Sequence, residues 1–224
     1  MRIYYALLSC FAIVGLAAAR PLFTTNNRRS LPVPIDRRKA QSYLNELVVE
    51  PPSNVPAYNR TLFPHWVTVS GKCDTRETVL KRDGTNVTTN AACSAISGNW
   101  FSEYDGATWT DPLDLDIDHV VPLREAWISG ARNWNTTQRR EFANDLIRPQ
   151  LIAVTDNVNQ AKGDKDPAVW MPPLRSYHCT YIRAWFACRI EVKYYYQLSV
   201  DTMEKIALQN YLSQCVEEAI TFMG

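Results

Sequence analysis

Residues 114–123 read DLDIDHVVPL. Leu115 and Ile117 alternate with Asp114, Asp116 and Asp118, the period of a strand with one apolar and one acidic face. His119, two valines and Pro122 follow. A carboxylate and an imidazole at a strand end suit metal-assisted cleavage of a phosphodiester. In-line attack by water needs a base, a cation to stabilise charge on the phosphate and leaving oxygen, and donors that hold the phosphate. His119 fits the base, since an unperturbed imidazole with a pKa of about 6.5 is neutral at physiological pH. Asp118 fits a hard cation, since Mg²⁺ takes oxygen ligands and keeps several waters. Neighbours on a regular strand point to opposite faces, so one site can use both only if the strand ends or bulges there. By itself an Asp-His dipeptide is mostly a structural feature.

A second segment, RPQLIAVTDNVNQAKGDKDP at residues 148–167, changes the weight of the first. LIAVT reads as a short strand and DNVNQAKG as a short helix closed by Gly163. Asn159 offers a neutral oxygen ligand, and Lys162, one turn later on the same helix face, a phosphate contact. Two strands and a helix would then hold one cation between Asp118 and Asn159.

With these two segments the sequence resembles the HNH endonucleases, built on the ββα-metal motif. In that family the motif histidine is the general base, and the aspartate before it and the last Asn or His bind the metal. This implies His119 as base and Asp118 and Asn159 as metal ligands. The family's middle Asn, which orients the base, corresponds to Gln150, an amide on a longer arm. More closely, the chain resembles secreted HNH-type proteins related to the C-terminal domain of GmrSD-type restriction endonucleases. That resemblance runs from about residue 60 to 215 through CDTRETVL, YDGATWTDPLDLDIDHVVPLREAW, REFANDLIRPQLIAVTDNVNQAKGDKDPAVWMPP and YHCTYIRAW. It implies a divalent cofactor, Mg²⁺ with Mn²⁺ or Ca²⁺ as alternatives, and a nucleic-acid substrate, DNA ahead of RNA. The rival expectation is a disulfide-stabilised secreted interaction protein on a nuclease-like fold without turnover. A hydrolase of another ester or amide is weaker still, since the chain has neither H-E-x-x-H nor G-x-S-x-G.

Other residues carry two readings. Arg76 could clamp a phosphate and Glu77 orient the site, or the two could form a helix-surface ion pair. Asp116 is a candidate second acid behind the metal ligands. Asp164 and Asp166 read as turn formers. Tyr181 and Trp185, four apart, read as core rather than as a base-stacking platform. Two disulfides are expected: Cys73–Cys93, stapling a short helix to a hairpin, and Cys179–Cys215, tying the last two helices together. Cys188 is then the odd thiol, buried on a long helix.

The elements that must position these groups belong to an α+β, single-domain reading: strands in the middle, helices at the C-terminal end. Helices are expected over residues 37–49, 75–82, 123–129, 137–146 and 177–198, and from the Asp201/Glu204 capping pair to about residue 220. Gly-, Asn- and Asp-punctuated β pieces between residues 85 and 109 suggest hairpins. At 224 residues and 46% apolar the chain can bury a real core. A net charge of +1 makes attraction to a polyanion a local matter rather than a property of the whole surface. Residues 1–19, a basic start, an apolar run and Ala17-Ala18-Ala19, read as a secretory signal peptide. Residues 20–35 read as a disordered arm, with dibasic pairs that could make a propeptide extending to about residue 38, and residues 36–224 as the nuclease domain. Secretion agrees with sequons at Asn59, Asn86 and Asn135 and with the disulfides. A monomer without a membrane span after signal cleavage is expected.

Overall fold

A computed structural model of the chain describes residues 35–186 and 192–215. The expected leader, nearly all of the arm, and Cys188 lie outside them. The described residues form one α+β domain. Its N-terminal helix α1 (Arg37–Glu46) is capped by the Asp36 carboxylate, which accepts from the Lys39 amide. The helix stops three residues short of the expected end because the chain extends there to bring Val49 beside Val200 in a parallel bridge.

Three small antiparallel sheets follow. Strands β1 (Thr68–Ser70) and β2 (Cys73–Asp74) form a hairpin, and Asp74 then caps α2 (Thr75–Asp83) by accepting from the Glu77 amide. Strands β3 (Gly84–Thr89), β4 (Ala95–Phe101) and β5 (Thr108–Trp109) make a meander in that order. The Trp100 indole donates to the Leu80 carbonyl at 2.8 Å. It lies so close over Gly84 that a Cβ there would sit 2.4 Å from its nitrogen, which explains a glycine at this helix-to-strand joint. A disulfide joins Cys73 to Cys93, fixing the start of α2 to the β3–β4 turn.

The third sheet carries the candidate chemistry. Strand β6 (Leu115–His119) pairs with β7 (Leu151–Thr155) in unbroken register, from Leu115 opposite Thr155 to His119 opposite Leu151. Between them lie α3 (Leu123–Ile128) and α4 (Thr136–Ala143), the latter opened by an Asn135/Gln138 capping box. Helix α5 (Asp156–Lys162) leaves β7 directly. One face of this ribbon, Leu115, Ile117, Leu151 and Ala153, packs against Val79, Leu80 and Trp100. On the other face Ile152 and Val154 enter the main core with the C-terminal helices. Being buried on both faces, β7 reads as a continuous apolar run instead of an alternating one. Its outer edge is also closed: Ala153 donates to Asp83 and Arg82 donates to the Leu151 carbonyl, which removes an exposed strand edge.

Helices α6 (His178–Phe186), α7 (Val192–Tyr195) and α8 (Thr202–Gln214) complete the domain, with α8 packed on α1 and α6 and Cys179 bonded to Cys215. No helix among the described residues is long and apolar enough to cross a membrane. The helix expected over 177–198 ends early. Gln197 adopts a left-handed backbone (φ 53°) and the chain turns back, so that the Ser199 carbonyl accepts from the Lys193 ammonium at 2.9 Å. That ammonium is fully buried and also donates to Glu125, Ser129 and Glu204.

Two carboxylates thus share one buried cation, and Asp166 lies near enough to feel the charges of Glu125 and Lys193. Burial, opposed by Lys193, pushes Glu204 up to about 7. Lys193, although burial favours its neutral form, is held above its ordinary value by Glu125 and Glu204. Glu204 titrates at 4.5 when unperturbed, so the folded state binds extra proton between that value and about 7. The stability it contributes is full below the first and lost as pH rises through the second. His119 acts in the opposite sense at acid pH, so only a comparison with a variant isolates Glu204. In thermal unfolding, Glu204→Gln should gain on the wild type by ~1–3 kcal/mol as pH rises from about 5 to about 8. A pH-independent difference would remove Glu204 from this role.

Candidate functional site

Asp116 and Asp118 point from β6 toward α5, and His119, the last residue of the strand, points to the opposite face. The strand neither bulges nor ends before His119, so strict alternation holds. The Asp118 carboxylate is 4% exposed and both of its oxygens are engaged. Oδ1 accepts from the Lys162 ammonium at 2.8 Å, and Oδ2 from the Tyr104 hydroxyl at 2.5 Å. Lys162, 0% exposed, also donates to the His119 carbonyl at 2.8 Å. Burial pushes Asp118 up and Lys162 down, and each partner partly offsets the shift of the other. Lys162 is therefore the internal partner of Asp118 and is not directed at a phosphate.

Asn159, expected beside Asp118, instead donates through Nδ2 to Asp116 Oδ2 at 3.1 Å. Asp116 and Asn159 are both half-buried, and Asp116 Oδ1 and the amide oxygen of Asn159 have no hydrogen-bond partner among the described residues. A hard cation shared by Asp118 and Asn159 does not fit this arrangement, because Lys162 already neutralises the buried Asp118 and Tyr104 takes its other oxygen. Asp116 with Asn159 does fit one: a carboxylate and an amide oxygen at a partly open seam are the kind of donors a hydrated Mg²⁺ accepts. No three His, Cys, Asp or Glu side chains converge as a metal-binding group among the described residues.

His119 is 5% exposed. Its Nε2 lies 2.9 Å from the Ala143 carbonyl, an acceptor, so Nε2 carries the proton and Nδ1 keeps its lone pair. Burial lowers its pKa to about 3; the Ala143 carbonyl opposes the shift, and the charges of Arg60, Lys162 and His65 add to it. The ring stacks on Trp66, centroids 5.5 Å apart and planes 26° apart. Trp66 holds a left-handed backbone (φ 55°), costly for a bulky residue. What secures it is Asn144, whose Oδ1 accepts from Val67 and Thr75 and whose Nδ2 donates to the Pro64 carbonyl.

The orienting role expected of Gln150 is therefore filled by a backbone carbonyl. Gln150 is fully buried and makes two bonds to the Val121 backbone, Nε2 to its carbonyl at 2.8 Å and Oε1 from its amide at 3.1 Å. It fixes the chain just after His119 without touching the ring. Arg76 and Glu77 are likewise internal. Arg76 pairs with Glu77 at 2.7 Å and donates to the Pro112 and Leu115 carbonyls, bracing the start of β6. Glu77 accepts from the Ala95 amide at 2.6 Å. Tyr181 and Trp185 are core, as expected. Tyr104, Trp66, Ala143 and Asn144 escaped the sequence reading. Tyr104, Ala143 and Asn144 lie inside the stretches that carried the resemblance, but their types gave no role away.

Comparison with known proteins agrees with this architecture. Residues 74–210 match the family described as GmrSD restriction endonucleases, C-terminal domain. Over 204 residues, 91% of this chain and 95% of the other, the sequence is 56% identical to a protein of Arthroderma benhamiae described as an uncharacterized secreted protein. No solved structure matches. The chain belongs to the GmrSD C-terminal-domain family, and its domain is thus nuclease-related. It is a secreted protein, with disulfides suited to an oxidising compartment.

A double-mutant cycle tests the Asp118–Lys162 pair. Removing one partner leaves a buried charge uncompensated, so Asp118→Ala and Lys162→Met should each cost ~3–5 kcal/mol in urea unfolding, and the double variant clearly less than the sum. An Asp118 side chain held open for a cation would give no such coupling.

Proposed function

We propose that the protein is a secreted, metal-dependent endonuclease of the HNH type. It would act as a monomer on phosphodiester bonds of DNA, with RNA as the lesser substrate, and with little sequence specificity. The observation that carries this reading is the state of His119. Its imidazole is neutral, its tautomer is set by the Ala143 carbonyl, and Nδ1 is engaged by no described residue. That is what a base awaiting a proton from water requires. Its depressed proton affinity is the state without substrate. An arriving phosphodiester brings negative charge, which favours the imidazolium and raises the basicity when it is needed.

The remaining residues act by holding this base. Gln150 fixes the Val121 backbone, Lys162 and Tyr104 lock Asp118 under the strand, and Trp66 covers one face of the ring. A divalent cation, Mg²⁺ or in its place Mn²⁺ or Ca²⁺, would be held by Asp116 and Asn159, and when bound it would neutralise charge on the phosphate. The exposed sequon asparagines Asn59, Asn86 and Asn135 suit a glycoprotein.

One observation favours a second reading. His119 and Asn159 occupy opposite faces of the β6–β7 ribbon, so base and cation can reach one phosphate only around the end of the strand. A nuclease-like binding protein without turnover would tolerate that separation.

Plasmid nicking with Mg²⁺, Mn²⁺ or EDTA decides between them. His119→Ala, with an unchanged circular dichroism spectrum, should lose about 10²–10⁴-fold in rate. Equal cutting by the variant would overturn the base assignment, and absence of cutting by the wild type with every metal would favour the second reading. Independently of activity, Mn²⁺ should raise the melting temperature of the wild type and not of Asn159→Ala.

A further inference from the structure

Neither cation that the sequence offered for substrate is available to it. Arg76 is spent on Glu77 and two carbonyls, and Lys162 is enclosed with Asp118. A nucleic-acid substrate still needs a positive group at the imidazole. The segment from residue 60 to 66 supplies one. It begins with a single 3-10 turn, Arg60–Leu62, capped by the Asn59 side chain. Phe63 then plugs into the core among Tyr58, Trp127 and Phe142, with ring centroids about 6.2 Å away in each case. Asn144 holds the Pro64 carbonyl, Arg139 holds the Leu62 carbonyl at 2.9 Å, and Trp66 ends the segment on the His119 ring. Seven residues are thereby docked on the His119 face of the ribbon, with Arg60 on their exposed side.

Among the described residues Arg60 joins no salt bridge; its guanidinium hydrogen-bonds the Tyr58 hydroxyl, where the charge of Asp164 is also felt, and its own charge reaches His119. Arg124, in the first turn of α3, also reaches Tyr58. A guanidinium that is exposed, in no ion pair among the described residues, and carried by a segment docked against the imidazole through Phe63 and Trp66 is suited to bidentate phosphate binding.

We infer that Arg60 grips a backbone phosphate of a single nucleic-acid strand laid across the His119 face, with the 60–66 segment as the wall of that binding site. This deepens the nuclease reading and rests on it for the identity of the substrate, but it concerns binding and not turnover. It places the gripped phosphate, one of several along the strand, on the His119 side of the ribbon.

Fluorescence anisotropy with a fluorescein-labelled single-stranded DNA oligonucleotide, in EDTA so that nothing is cut, tests it over a series of salt concentrations. Arg60→Ala should bind about ten- to a hundredfold more weakly, the loss of one charge-assisted contact. Its salt slope should fall by about 0.7, one phosphate contact on a single strand. Arg60→Lys should keep the slope and lose only part of the affinity. Lys39→Ala, which removes an equal charge from exposed α1, should match the wild type. A melting temperature within error of the wild type establishes that each variant is folded, and Arg60→Gln serves if Arg60→Ala is not. Unchanged affinity and slope in the Arg60 variants would overturn the inference, as would a wild type that does not bind the oligonucleotide. A wild type that binds through Arg60 but cuts nothing leaves this inference standing and removes the nuclease reading.

Discussion

The buried ammonium of Lys162 is the constraint around which the site is arranged. It is fully enclosed at the end of α5, and its bonds to the Asp118 carboxylate and the His119 carbonyl tie that helix to the last two residues of β6. An isolated charge could not be kept there, since desolvation would drive it to the neutral form or out to solvent. With Asp118 it forms a pair whose separation is costly, so the register of helix on strand is held by electrostatics as well as by packing. Tyr104 takes the remaining Asp118 oxygen and brings the meander's far end into the same cluster. The consequence for chemistry is direct: the carboxylate next to the histidine is committed to internal partners.

The ribbon's two faces then divide the work. Toward α5 lie Asp116, Asn159 and the Asp118–Lys162 pair. Toward α2 lies His119 with Trp66, the Ala143 carbonyl and the 60–66 segment. What joins them is the short stretch after His119, where Gln150 binds the Val121 backbone and Pro122 leads into α3. The stretch from Ala143 to Asp145 acts at the same junction. Three consecutive residues orient the imidazole, hold the 64–67 loop, and accept from Arg148 and Tyr196. The stretch between α4 and β7 is therefore what fixes the imidazole.

Much of this was legible in the chain. The alternation of residues 114–118, the apolar run LIAVT and the helix ending at Gly163 give β6, β7 and α5 nearly residue for residue, because local periodicity is decided by which faces must be buried. Both disulfides pair as expected. Arg76 and Glu77 took the second of their two readings, the ion pair. Gln150 and Lys162 are polar groups of the right type near the right motif, and their type says nothing about whether a buried carbonyl or carboxylate will claim them first. Of the helix expected through Leu198, residues 178–186 and 192–195 are helical, and it stops short at Tyr195 before the left-handed Gln197.

The sequence by itself determined the strand–strand–helix unit, the cysteine pairing, and a histidine at the end of an acidic strand. All are set by short-range pattern or by residue type. Only the tertiary structure decided which partner each polar group takes. Inside a low-dielectric core an unmatched donor or acceptor is costly, and the match is made by whatever the whole fold brings within about 3 Å. That is why Asn159 stands with Asp116, why Lys162 closes over Asp118, and why an alanine carbonyl holds the imidazole.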